Sequence, residues 1–362
     1  MNTWWVVAWL TSFLAAALVA PLVIRLYNRL GWLDNPATQS HPKIVHTYAV
    51  PRGGGLVVAA GLVAGLLFTA SLAPSLWGIM AGFIVLLISG TLDDRYDLNP
   101  YLRFGINLFA ACLVVASGIG INFVTNPLGD GVIMLNQWQY ALNIGAFVIN
   151  IALPADLLAI IWIVWNMNTV NWAKGVDGQL PGFVSIAAIF IALLSLRFIG
   201  DTSQTQVALL ALSVSGAYAG LLLWNVYPQK MMPGYAAGSL AGYFLAILSI
   251  LSGAKTATLL LLLAIPTVDG IFVVTRRISK GKSPFWGDRS HLHHLMLDAG
   301  WGKRRIAAFY WAATFIFGVV ALQLDSRAKL YAMMAIAILF VALLVWFKRS
   351  ISYSNQPDQD NG

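Results

Sequence analysis

The sequence predicts an all-α polytopic membrane protein of about ten to eleven transmembrane helices, with its N-terminus outside and its active-site loops in the cytosol. Three observations lead there. Of 362 residues 59% are hydrophobic and only 10% charged, whereas an ordinary soluble domain carries about 25% charged residues. The apolar residues gather in eleven runs, most of them long enough for a hydrocarbon core of about 30 Å. The cations lie almost entirely on one side of the membrane that those runs define.

The runs fall at roughly 4–24, 54–73, 76–90, 104–120, 146–166, 183–199, 206–226, 237–252, 256–275, 307–323 and 330–347. The first has neither a basic flank nor a small-residue cleavage pattern, so it reads as a retained helix and not as a signal peptide. The third is short, which is why ten spans is the lower expectation. Residues 121–145, on the outer side, mix Asn, Gly, Pro and Trp with aliphatics and suit a hairpin or an amphipathic segment at the interface. Asp156 falls within the fifth run, where a helix–helix hydrogen bond is the expected use of its carboxyl. Residues 1–349 read as a single transmembrane domain and 350–362 as a polar, disordered cytosolic tail.

Orientation follows from the 22 Lys and Arg residues. With the N-terminus outside, only Arg197, Lys255, Arg327 and Lys329 fall on the outer side, and the other eighteen face the cytosol. The net charge of +8 is therefore a topology signal, and no nucleic-acid partner is implied. The single cysteine, Cys112, excludes an internal disulfide.

The same topology, fixed from Lys and Arg alone, puts all five histidines in cytosolic connections. The chain has no glutamate, so any carboxylate ligand or base is one of fourteen aspartates. In the first inner loop, His41 to Leu56, Pro51 and three glycines allow close backbone approach to a ligand. Lys43, His46 and Arg52 there suit phosphate oxygens or, equally, lipid headgroups. Asp93, Asp94 and Asp97 follow in DDRYDL. Adjacent carboxylates repel, which fits a magnesium site or a tuned base as well as a solvated helix cap. Asn168 and Asn171, three apart, share a helix face, and a glycine turn then presents Asp177. Asp269 points at the same side. SPFWGDRSHLHHLMLDAG, from Ser283, concentrates Arg289, His291, His293 and His294 in one polar stretch.

These motifs resemble those of the polyprenyl-phosphate N-acetylhexosamine-1-phosphate transferases of glycosyltransferase family 4, in the branch that starts O-antigen and teichoic-acid synthesis. The resemblance rests on His46, Pro51, Arg52, Gly54 and Gly55 in the first loop, on Asp93, Asp94 and Asp97, and on Asn168, Asn171, Gly175, Asp177 and Gly178. The last loop adds Arg277, Gly281, Lys282, Ser283, Pro284, Phe285, Asp288, Arg289, His291, His293 and His294. Two positions depart from the pattern, since Lys174 stands where the family has the first acid of DGxDG, and Ala236 where it has a metal-associated acid.

The resemblance implies transfer of N-acetylhexosamine 1-phosphate from a UDP-sugar to polyprenyl (undecaprenyl) phosphate at the inner leaflet of the plasma membrane. UMP would be released and cell-envelope glycan synthesis begun. It implies Asp93, Asp94, Asp177 and His293 as catalytic residues, the three aspartates doubling as holders of Mg2+. Substrate binding would fall to Lys43, His46, Arg52, Asn168, Asn171, Lys174, Asp269, Arg289, His291 and His294. Partners would be the UDP-sugar, the lipid phosphate and membrane lipid, with a homodimer left open. Two other readings remain: a divergent member that binds its substrates without efficient turnover, and a transporter. The pooling of polar residues at one face counts against the transporter.

Overall fold

The structure, a computed structural model, describes residues 3–37, 45–67, 76–126, 129–144, 147–198, 200–252, 255–284 and 289–354. Each of the eleven apolar runs contains a helix, although the start of the fifth, expected from 146, is strand up to Ile151 and turns helical only at Leu153. In order these are α1 (Thr3–Leu30), α2 (Gly54–Leu66), α3 (Leu76–Tyr96), α4 (Pro100–Ala116), α5 (Leu153–Trp172), α6 (Gln179–Ser195), α7 (Thr202–Asn225) and α8 (Gly234–Leu251). The bent pair α9 (Lys255–Leu262) and α10 (Ala264–Ser279) follows, then the short α11 (Leu292–Asp298), α12 (Lys303–Gln323) and α13 (Ser326–Ser354). Among the described residues eight helices are long and apolar enough to cross a membrane, or nine spans if the bent pair counts as one. α2 and α4, at 13 and 17 residues, are the short apolar helices among the described residues, while the third run is a full 21-residue helix. The multi-pass membrane architecture is as the composition requires.

Two antiparallel hairpins begin in the expected outer segment, 121–145, and the second extends past it: β3 (Phe123–Thr125) with β4 (Val132–Met134), and β5 (Tyr140–Ile144) with β6 (Phe147–Ile151). A further two-stranded pair, β1 (Leu33–Asp34) with β2 (Val50–Pro51), ties the end of α1 to the start of α2. Asp156 differs from expectation. Its Oδ2 accepts the Ala152 amide at 2.8 Å, so it caps the first turn of its own helix α5 and does not bond to a neighbour. α13 continues to Ser354, past the expected start of the tail. His41, Lys43, Phe285, Asp288 and the last eight residues lie outside the described residues.

Lipid removes the hydrophobic drive for helices to associate, so close backbone approach and buried hydrogen bonds must hold the bundle. α8 illustrates both. Gly238 and Gly242 repeat at a spacing of four, and a Cβ at either would collide with α5, at the Asn171 side chain and the Asn166 backbone. Tyr243 donates to the Ile79 carbonyl at 2.9 Å, Tyr218 to the Ala237 carbonyl at 2.6 Å, and Trp162 to Ser249 Oγ at 3.0 Å. α8 thus sits at the centre, packed by α5, α3 and α2. On the periphery, α1 exposes Leu10, Leu14, Leu18, Leu22 and Leu26, a four-residue stripe facing lipid.

The α9–α10 pair bends by 83°. Pro266 accounts for it: proline has no N–H to give the Leu262 carbonyl, and its ring crowds that carbonyl, so the ladder breaks at Leu263. The bend delivers Asp269 and Arg277 to the end of the bundle where the remaining polar residues collect.

Candidate active site

One end of the bundle holds a cavity of about 730 Å³. It is built where α1, α3 and α5 finish and where α2, α4 and α8 begin, with α11 closing one side. Of the residues expected there, His46, Arg52, Asp93, Asp94, Asn168, Asn171, Lys174, His291, His293 and His294 line it. Residues spread over more than 200 positions converge because alternate connections return to the same membrane face.

The two neighbouring carboxylates have different partners. Asp93 lies 2.5 Å from Arg103 Nε and accepts the Leu98 amide at 3.1 Å, and Arg103 also pairs with Asp97. Asp94 reaches across to the start of α8, where its oxygens accept the Tyr235 amide at 2.5 Å and the Ala236 amide at 3.3 Å. Helix N-termini carry unsatisfied N–H groups and a partial positive charge, so a carboxylate is stabilised there without any metal. Gly234, at φ 69°, leaves room for that carboxylate, because a Cβ would strike it.

Lys174 sits on the cavity floor. Its ammonium donates to Asn171 Oδ1 at 2.7 Å and to the Gly234 carbonyl at 2.6 Å, and lies 5.6 Å from the centre of the Tyr235 ring. Burial pushes the ammonium down to about 8, against the pull of Asp94 and Asp93 and aided by Arg52 and Arg103.

A row of imidazoles also lines the cavity, with His293 packed against Gly175. His291 and His293 stack at 5.8 Å between ring centres, and His294 follows at 4.3 Å from His293. Asp269 does not line the cavity. Its Oδ2 lies 2.8 Å from His291 Nδ1 while Oδ1 accepts the Leu292 amide at 2.9 Å, which fixes both the ring and the start of α11. Nε2 of His291, on the other side of the ring, lies 3.5 Å from Arg277.

Two expected residues fall elsewhere. Asp177 is 2% exposed, with Oδ1 3.1 Å from Lys303 Nζ and Oδ2 accepting the Gln229 amide at 3.2 Å. The glycine turn aims it at α12 and the loop after α7. Arg289 pairs with Asp298 at 2.7 Å and lines a separate cavity of about 370 Å³. Ala236 does not line the main cavity either, being packed between Gly55 and Gly90.

Magnesium demands near-octahedral oxygen ligation. Among the described residues no group of three His, Cys, Asp or Glu side chains could hold a metal. Asp177 is engaged by Lys303 and the Gln229 amide, Asp94 by the α8 amides and Asp93 by Arg103. The carboxylates present do not fit the three-aspartate site that the resemblance implies.

Sequence reasoning missed Asp34, Arg103 and Tyr235. Asp34 receives Arg52 Nε at 2.8 Å and lies 3.7 Å from His46, so it steers two of the basic residues of the first loop. Arg103 had a readable signal. A cation in the first turn of a helix opposes the dipole and asks for a carboxylate partner, and Asp93 and Asp97 supply it. Tyr235, with Arg103 5.2 Å and Lys174 5.6 Å from its ring centre, gives no comparable signal.

A membrane bundle whose chemistry lies in one polar end cavity, with cations, imidazoles and amides facing inward, is the form of an enzyme acting on phosphorylated substrates at a bilayer surface. Residues 76–253 match the family model of glycosyl transferase family 4. A Bacillus subtilis (strain 168) relative, a probable undecaprenyl-phosphate N-acetylglucosaminyl 1-phosphate transferase, is 28% identical over 94% of this chain and 90% of its own. A decaprenyl-phosphate N-acetylglucosaminephosphotransferase of Mycobacterium tuberculosis (strain CDC 1551 / Oshkosh) is 27% identical over 92% of this chain and 87% of its own. The undecaprenyl-phosphate alpha-N-acetylglucosaminyl 1-phosphate transferase of Escherichia coli (strain K12) is 28% identical over 82% and 77%.

Proposed function

We propose that this protein transfers N-acetylhexosamine 1-phosphate from a UDP-sugar to polyprenyl phosphate and releases UMP, opening cell-envelope glycan synthesis. The observation that carries the reading is the makeup of the end cavity. Arg52, Arg95, Arg103 and Lys174 balance Asp34, Asp93, Asp94 and Asp97 around it, with four histidines in addition. The named activity of the relatives supplies the substrates. The bias of eighteen cations to four supports a site facing the cytosol from the plasma membrane.

In this reaction an oxygen of the lipid phosphate attacks the sugar-proximal phosphorus. The bond from that phosphorus to the bridging oxygen breaks, and UMP departs with the electron pair. Such a transfer needs alignment and charge stabilisation more than covalent help. Arg52 and the imidazoles of His291, His293 and His294 would hold the diphosphate, His291 kept in position by Asp269. Asn168 and Asn171 offer amides to the nucleotide. Asp93 and Arg103, paired in the cavity lining, would meet the incoming phosphate through the guanidinium.

Purified protein in detergent, given UDP-GlcNAc and undecaprenyl phosphate, should release UMP only when both are present. Binding of UDP-GlcNAc without UMP release would instead establish a binding relative, a reading that the occupied oxygens of Asp94 favour.

A further inference from the structure

The cage around Lys174 has the character of a cation site. An amide oxygen from Asn171 and a backbone carbonyl from Gly234 point at one centre, 2.7 and 2.6 Å from the ammonium nitrogen, with the carboxylates of Asp94 and Asp93 supplying negative field. Amide, carbonyl and carboxylate oxygens are what a hard divalent ion takes as ligands. Here a covalently attached ammonium sits among them.

The neighbours reinforce this. Both oxygens of Asp94 accept α8 amides, so that carboxylate is already engaged. Ala236 offers no ligand and is wedged between Gly55 and Gly90. An ammonium has three protons. Two are held by Asn171 and Gly234, and because Lys174 lines the cavity, the third is directed to whatever occupies it.

We infer that Lys174 is a built-in cation of this site, its ammonium meeting the diphosphate of the nucleotide sugar directly, so that substrate is bound without a divalent metal. The inference rests on the transferase reading for the identity of the ligand. In the transfer step the ammonium stabilises the charge that collects on the bridging oxygen as the bond from the sugar-proximal phosphorus breaks and UMP leaves with the electron pair. It takes no part in bond formation.

The test is calorimetric titration of the full-length protein with UDP-GlcNAc, in excess EDTA and in magnesium. Unmodified protein should bind with affinities within about threefold of each other in the two buffers. Lys174→Ala should lose tenfold or more in both, since neither buffer replaces the lost charge, and Lys174→Arg should retain much of the affinity. Monodispersity on size exclusion checks that Lys174→Ala is folded; if it is not, the comparison of the unmodified protein with and without EDTA still decides. Loss of binding in EDTA, or unchanged binding by folded Lys174→Ala, overturns the inference. UMP release is followed separately. Metal-free, Lys174-dependent binding with no UMP formed would sink the transferase reading and leave the inference intact, whereas UMP release with strictly magnesium-dependent binding would do the reverse.

Discussion

Lys174 and Asp269 carry the most specific expectations of single side chains. Burial lowers the Lys174 ammonium to about 8, with Asp94 and Asp93 opposing the shift and Arg52 and Arg103 assisting it. A lysine whose value is depressed keeps its charge below that value and loses it as pH rises through it. Affinity for UDP-GlcNAc should therefore fall as pH rises from 7 to 9, a range in which an ordinary lysine stays charged, and Lys174→Arg should flatten the profile. An equally steep profile in Lys174→Arg would assign the titration to another group. Asp269 acts through His291. Asp269→Asn removes the carboxylate that holds Nδ1, so UMP release should drop by about 10- to 100-fold, the scale at which loss of an orienting partner is felt, with kcat affected more than KM. A loss confined to KM would count against positioning.

At the scale of elements, the cavity depends on α3 gripping α8. Asp94, at the end of α3, satisfies the first amides of α8. A carboxylate at a helix N-terminus contributes about 1 kcal/mol through capping, with a comparable term from the dipole. Asp94→Ala should thus lower the thermal midpoint of the purified protein as well as its activity, whereas Arg289→Ala, whose pair with Asp298 is half exposed, should lower the midpoint less. Equal midpoints for Asp94→Ala and the unmodified protein would mean that the α8 amides find other partners. The proline break between α9 and α10 is a second such device, since it turns a span so that one helix can present both Asp269 and Arg277.

For the whole molecule the decisive expectation is orientation. A probe cysteine at Ser279, which is exposed beyond the cavity end of α10, should react with a membrane-impermeant maleimide only after permeabilisation when placed in a Cys112→Ala background. Reaction in intact cells would turn the bundle over and with it the face on which the transfer occurs. Cys112 itself lies on α4 with its side chain exposed toward lipid, so its removal should not disturb the bundle.

Hydropathy and charge are properties of consecutive residues, and what they govern was readable without coordinates. The apolar segments, the gathering of His46, His291, His293 and His294, and the convergence of Asp93, Asn168 and Asn171 with them on one end all follow from spans that alternate direction. The direction in which a loop side chain points is set by partners far away in sequence, and this only the tertiary structure decided. Asp177 and Asp94 look alike in the chain, yet a glycine turn sends one to Lys303 and the last turn of α3 sends the other to the α8 amides. Asp156, read as a bridge between helices, serves the nearest open amide of its own. Asp34 and Arg52, eighteen positions apart, meet because the β1–β2 pair brings their strands together. Lys174 reads in the sequence as an acid replaced by a base. Only the folding of Asn171 and Gly234 around its ammonium shows where the charge was placed.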